Sequence, residues 1–259
     1  MGEHEHLYNR NQLADSAGVP WEGRAFEPNN FAGDDGSADA NLIASIEALR
    51  SGNGSVEQVV DAFRAARLLV PLLANLGESE VGAHGQVVDK SADLSIVTVE
   101  TPDQQDGLPV FSSVDSMKAW NETARPVPVD AVKAALAAAQ EGNTRIILDP
   151  GSASEFVIRR PAIAAVAQGL EWIHPAKDER VRAAFVEATA GSPEILGFEV
   201  RDIDPQSVLA AAEIQLELRL VAGLDREELD RVLQGLAKAL AESHDIAEYV
   251  DSLRVKLVS

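Results

Sequence analysis

The sequence predicts an α+β protein: a mixed-sheet domain with packed helices, preceded by an irregular N-terminal arm and followed by a smaller α+β unit. Three observations carry this reading. From about residue 56 onward, short apolar runs with strand chemistry alternate with segments of helical period. The segment Ile214-Gln-Leu-Glu-Leu-Arg-Leu220 alternates strictly, which marks a sheet with one covered and one wet face. Residues up to Asp39 show neither period and are rich in Asn, Asp, Gly and Pro. The expected organisation is an arm with one helix over residues 1–55, an α/β domain over 56–170, and a C-terminal α+β domain over 175–259.

The arm carries aromatic residues Trp21, Phe26 and Phe31. Leaving them in water is costly, so the arm is expected to lie across a domain surface or a neighbouring subunit. Asp39 is placed to cap a helix over 40–50, where Leu42, Ile43, Ile46 and Leu49 recur at helical spacing. Ser51-Gly-Asn-Gly-Ser55 ends that helix. A second helix follows with Val56, Val59, Val60 and Phe63 on one side. The apolar run 68–73 reads as a strand, and Pro71 predicts that it is an edge or stops there, because proline donates nothing to a ladder.

A polar loop over 75–93 leads to a strand over 94–99, a turn over 102–107 and a strand over 108–112. Helices are predicted over 114–120 and 131–141, the second stopped by Gly142. Strand 144–148, the turn Asp149-Pro-Gly-Ser152, strand 156–159 and a helix over 161–168 complete the first domain. In the C-terminal unit a helix over 178–189 aligns Val181, Ala184, Phe185 and Ala188. Strands follow over 198–203 and 214–221. Asp225 and Glu228 open a helix bearing Leu229, Val232, Leu233, Leu236 and Leu240. A last strand over 253–258 is reached by one helical crossover, which predicts that it runs parallel to the strand over 214–221, with a right-handed connection.

Charge and composition narrow the function. The chain has 259 residues, 46% of them hydrophobic, and 42 acidic against 22 basic residues give a formal charge of −20. Such a surface repels phosphate backbones and anionic lipids, so neither nucleic acid nor membrane is expected as a partner. The absence of cysteine excludes disulfides, thiol catalysis, iron–sulfur clusters and thiolate zinc sites. Met1-Gly-Glu-His-Glu-His6 is unlike a basic, apolar leader, and no uninterrupted apolar run has the length of a membrane span. A cytoplasmic location is expected.

Motifs for chemistry are missing. His4 and His6 flank a glutamate in a terminus with no preformed geometry, and His84, His174 and His244 have no ligand spacing around them. Asp34-Asp-Gly-Ser-Ala-Asp39 has calcium-loop composition but places Asp39 sixth and Ser45 twelfth, where Gly and a bidentate Glu are required. There is no Gly-x-Ser-x-Gly elbow, phosphate-binding loop, dinucleotide fingerprint or His-Glu-x-x-His. The expectation is a non-enzymatic protein with no cofactor and no metal.

Two loops stand out. Ser112 and Ser113 lie between a strand and a helix, where hydroxyls cap. Amides around Gly151 in the Asp149 turn have the makings of an anion nest. Pro20-Trp21-Glu-Gly-Arg24, Phe31 to Asp39, Leu108-Pro-Val-Phe-Ser-Ser113, Met117-Lys-Ala-Trp120 and Thr144-Arg-Ile-Ile-Leu-Asp-Pro-Gly-Ser152 with Phe156 together resemble the SseB family, in particular its actinobacterial members. The resemblance implies a bacterial cytoplasmic domain and brings no catalytic residues with it. The first functional reading is therefore a protein-interaction or regulatory module with a protein partner or self-association, its surface around Ser112, Ser113, Trp120, Asp149, Gly151 and Ser152. The alternative is a sensor of a small molecule, metabolite or amino acid, or a cryptic enzyme, with its site between Ser112 and Ser152.

Overall fold

The computed structural model describes residues 31, 33–75 and 93–258. Trp21, Phe26, His4, His6, His84 and the loop over 76–92, all read from the sequence, lie outside them. The chain divides into two compact units, Met1–Asp35 and Gly36–Ser259, and the helices and strands among the described residues belong to the second.

Helix α1 (Ala40–Arg50) is capped by Asp39, whose Oδ1 accepts from the Asn41 and Leu42 amides at 2.9 and 3.0 Å. Helix α2 (Val56–Ala65) opens on a reciprocal box: the Ser55 amide donates to Gln58 Oε1 at 2.9 Å, and Ser55 Oγ accepts from the Gln58 amide. Strand β1 (Arg67–Asn75) is followed by β2 (Asp93–Ile96), β3 (Val99–Glu100), β4 (Asp106–Val110), α3 (Val114–Trp120), β5 (Arg125–Asp130), α4 (Ala131–Gln140), β6 (Arg145–Leu148), β7 (Phe156–Arg159) and α5 (Arg160–Gln168). The C-terminal part holds α6 (Glu179–Ala190), β8 (Ile195–Asp202), β9 (Ile214–Leu220), α7 (Arg226–Glu242), α8 (His244–Tyr249) and β10 (Leu253–Val258). This is an α+β fold.

Three sheets are present among the described residues, with strand orders β2-β1-β5, β3-β4-β6-β7 and β10-β9-β8. An antiparallel bridge stitches the first two, in which Leu69 and Phe111 exchange backbone hydrogen bonds at 2.9 and 2.8 Å. The predicted strand over 94–99 divides here into β2 and β3, which belong to different sheets. As expected, β10 pairs parallel to β9, and β6 and β7 form a hairpin with Leu148 opposite Phe156.

Pro71 corrects the expectation for β1. The strand runs through it and is central, with β2 on one side and β5 on the other. Because the Leu69 amide points to Phe111, the Pro71 nitrogen two residues on points the same way. There it falls between that bridge and the start of the β2 ladder at Leu72, so it interrupts neither. Across from it stands Pro126 of β5, a strand whose two prolines hide it from a reading of the sequence.

The main core lies between the helices and the sheets. Leu42 and Ile46 of α1, Val59 and Phe63 of α2, Ala134 and Ala138 of α4 and Val166 of α5 close over Leu68, Leu108, Ile146, Leu148 and Phe156. Helix α1 is thus part of this core and not of the arm. A second core joins Phe185 of α6 and Leu236 of α7 to Ile214, Leu216 and Leu218, the apolar side of the alternating strand. Fully burying one such side chain stabilises by about 1.5–3 kcal/mol relative to leaving it exposed.

Candidate functional site

The two loops singled out in the sequence do meet. The N-terminal end of α3 places Ser112 and Ser116 beside Asp149, which follows β6 and adopts a left-handed backbone with φ 47°. Asp149 is 1% exposed. Oδ1 accepts from the Ser112 amide at 2.8 Å and Ser116 Oγ at 2.7 Å, and Oδ2 accepts from Ser112 Oγ at 2.6 Å and Ser154 Oγ at 2.7 Å. Four donors fill the four lone-pair directions of a carboxylate. Arg67 of β1 adds a hydrogen bond to the Ser112 carbonyl at 2.9 Å. Ser113 caps α3 through a box with Ser116.

The remaining residues of that group serve the same knot or its rim. The Gly151 amide, one of those with the makings of an anion nest, donates to Glu155 Oε2 of its own turn at 2.6 Å. Ser152 is exposed and shares a hydrogen bond with Ser154 at 3.0 Å. Trp120 is half-buried, with its ring 5.3 Å from that of Phe111. The arrangement locks the β6–β7 hairpin to α3.

A larger polar cluster, missed in the sequence, joins β6 and β7 to the C-terminal elements. Arg145 reaches Asp103 at 2.8 Å and Asp251 at 2.7 Å, while Arg159 reaches Asp204 at 2.5 Å and Asp251 at 3.1 Å. Asp204 also accepts from the Leu209 amide at 2.9 Å, which holds the loop between β8 and β9. Ser207 in that loop exchanges backbone and side-chain bonds with Val157 of β7, at 2.8 and 2.9 Å. Leu209 lies on Ile147 and Val157, covering a sheet face that would otherwise be wet. Burial opposes the Arg159 charge, but its hydrogen bond to Asp204 and the carboxylates around it outweigh this and hold its pKa above the ordinary arginine value. For Asp103, burial is likewise overcome, by Thr101 and Arg145, and its pKa lies below the usual carboxylate value.

Glu213 is the exception in this cluster. It is 2% exposed, and burial pushes its carboxyl up to about 7 against the counteracting Asp251 amide, Arg159 and Arg145. Its Oε2 accepts from the Asp251 amide at 2.8 Å, whereas Oε1 has no partner among the described residues. The sequence trace of the cluster is slight: an arginine at each far end of the β6–β7 hairpin, Arg145 and Arg159. Their partners lie 42 to 106 residues away.

A cleft opens on the other side of the same junction, between α5, the segment after it, and α6 and α8. Pro161, Leu170, Trp172, Ile173 and Tyr249 line it, in a space of about 110 Å³. Leu170 and Ile173 are 54% and 41% exposed. Arg180 stacks over the Tyr249 ring at 3.8 Å and is held by Asp178 at 2.6 Å. Glu171 and Glu248 line the same cleft, so with Arg180 neutralised by Asp178 its polar part is acidic.

Among the described residues no group of three or more His, Asp or Glu side chains is arranged to hold a metal ion, and no helix is long and apolar enough to cross a membrane. No curated protein and no solved structure matches the chain. The helices and sheets that build the main core and the Asp149 knot, from α1 into α5, do have a counterpart: residues 42–165 match the family described as SseB protein N-terminal domain.

Proposed function

We propose that the protein is a non-enzymatic interaction module of the SseB family, acting in the cytoplasm, and that its partner docks in the cleft beside α5. The observation that carries this reading is the pair of exposed apolar side chains, Leu170 and Ile173, gathered around a cleft of about 110 Å³. Single exposed apolar residues are ordinary, but two sharing one concave site with an aromatic wall are a docking feature. The volume falls below the roughly 300–1,000 Å³ of small-molecule pockets and suits one apolar side chain.

Charge selects the occupant. Glu171 and Glu248 in the cleft, on a chain of net charge −20, favour a partner segment with an apolar anchor flanked by lysine or arginine. The test compares wild type with a Leu170→Glu/Ile173→Glu protein and a Leu136→Glu control on α4, which is also exposed. Partners captured on each are compared at matched stability. The reading expects capture to fall at least tenfold with the double variant, to survive in the control, and to weaken as salt rises. Equal capture by all three proteins overturns it.

A further inference from the structure

A second, smaller cavity also has Trp172 in its wall and lies between α2, β7 and the loop between β8 and β9. Its walls include Val60, Arg159, Trp172, His174, Asp204 and Glu213, and it holds about 10 Å³. That is on the order of the space one water molecule needs. Two side chains on this wall are nine-tenths buried and have an atom without a hydrogen-bond partner among the described residues: Trp172 at Nε1 and Glu213 at Oε1. A buried polar atom left without a partner carries its full desolvation penalty, so both favour a guest that can bond to them.

We propose that this cavity is a one-water site bridging Trp172 and Glu213, and that the proton on Glu213 sets how tightly the junction closes around it. The donor set chooses the guest. The indole N–H requires an acceptor, which ammonium and metal cations are not. The ionised carboxylate requires a donor, which chloride is not. Water is both, and it remains a partner when Glu213 is protonated and its O–H donates instead.

The surroundings make the proton consequential. Glu213 faces Arg145 from β6, Arg159 from β7, Asp251 from the turn before β10, Asp204 from the β8–β9 loop and His174 from the segment before α6. Asp103 stands behind Arg145, and Asp202, Glu57 and Lys177 surround His174. With Glu213 ionised, the four carboxylates of Asp103, Asp204, Asp251 and Glu213 face the two guanidiniums of Arg145 and Arg159. Protonation removes one of those charges, so the junction tightens in mild acid and loosens above neutrality. The upward pKa of Glu213 places this change near neutral pH.

Indole N–H resonances of the full chain, recorded by proton–nitrogen NMR across the neutral range, test the proposal. The Trp172 signal is identified by its loss in Trp172→Phe. On the unmodified protein at mildly acidic pH, an exchange or Overhauser contact between this N–H and water is expected; a sharp resonance without one overturns the water site. The resonance is expected to shift with a midpoint between about pH 6 and 8, to lose that shift in Glu213→Gln, and to keep it in His174→Gln. Persistence of the shift in Glu213→Gln, or its loss in His174→Gln alone, assigns the titration to His174, whose ring lies 5.7 Å from the indole, and overturns the role given to Glu213.

Discussion

Replacing Asp149 with alanine will lower the free energy of unfolding by about 3–5 kcal/mol, measured by urea denaturation. The loss has two sources. The Ser112 amide and hydroxyl are buried and lose their acceptor, at about 1–3 kcal/mol each. Ser116 and Ser154, nearer the surface, are rescued in part by water. In addition, φ of 47° at position 149 suits aspartate and asparagine better than alanine. Asp149→Asn will therefore cost less, about 1–2 kcal/mol, because it keeps one acceptor and the left-handed preference. A fully stable alanine protein would show that the knot is dispensable to the fold.

Glu213→Gln will stabilise the protein at neutral and alkaline pH and leave it nearly unchanged only at about pH 4 and below. The Glu213 pKa is raised from 4.5 to about 7, so the folded state holds the proton more tightly than the unfolded chain. The stability this contributes is fully present below 4.5 and is lost as pH rises through about 7. Across that window the loss amounts to about 3 kcal/mol. The amide cannot ionise, so the variant escapes it, and the two denaturation curves separate progressively from near pH 4 to about pH 8.

His174 works in the opposite sense. Burial lowers its pKa, so its contribution is lost in acid, grows as pH rises toward the unfolded value of 6.5 and is complete above it. For this reason the difference between wild type and variant is the quantity to read, not the slope of either alone. A difference that does not change with pH would show that Glu213 ionises like an exposed carboxylate.

Local chemistry makes most of the fold legible. Asp39, Ser113 and Asp225 announce helix starts by their own side chains, and the alternation of Ile214 to Leu220 specifies which side of the strand meets the core, although Gln215 on the side expected to be wet is buried as well. What stays hidden depends on partners far along the chain. Pro71 reads as a strand edge or end because its tolerance rests on a gap between two neighbouring ladders. Strand β5 goes unassigned because Pro126 and Pro128 are acceptable in a strand only where their nitrogens face away from β1. Ser112 and Asp149 are legible as candidates, but their burial against one another is not. The Arg145–Arg159 cluster is still less visible, since arginine at a strand end is ordinary until the carboxylates opposite are known.

The prolines of β5 also bear on how copies of this chain meet. With β1 on its inner side, β5 turns the nitrogens of positions 126 and 128 outward, and neither offers an N–H. A foreign strand laid along that border would find no donor at positions 126 and 128, which weakens any continuation of the sheet there. The border is thereby protected against runaway strand stacking during folding at high concentration. This border of the sheet therefore offers no route by which a second copy could extend it across positions 126 and 128.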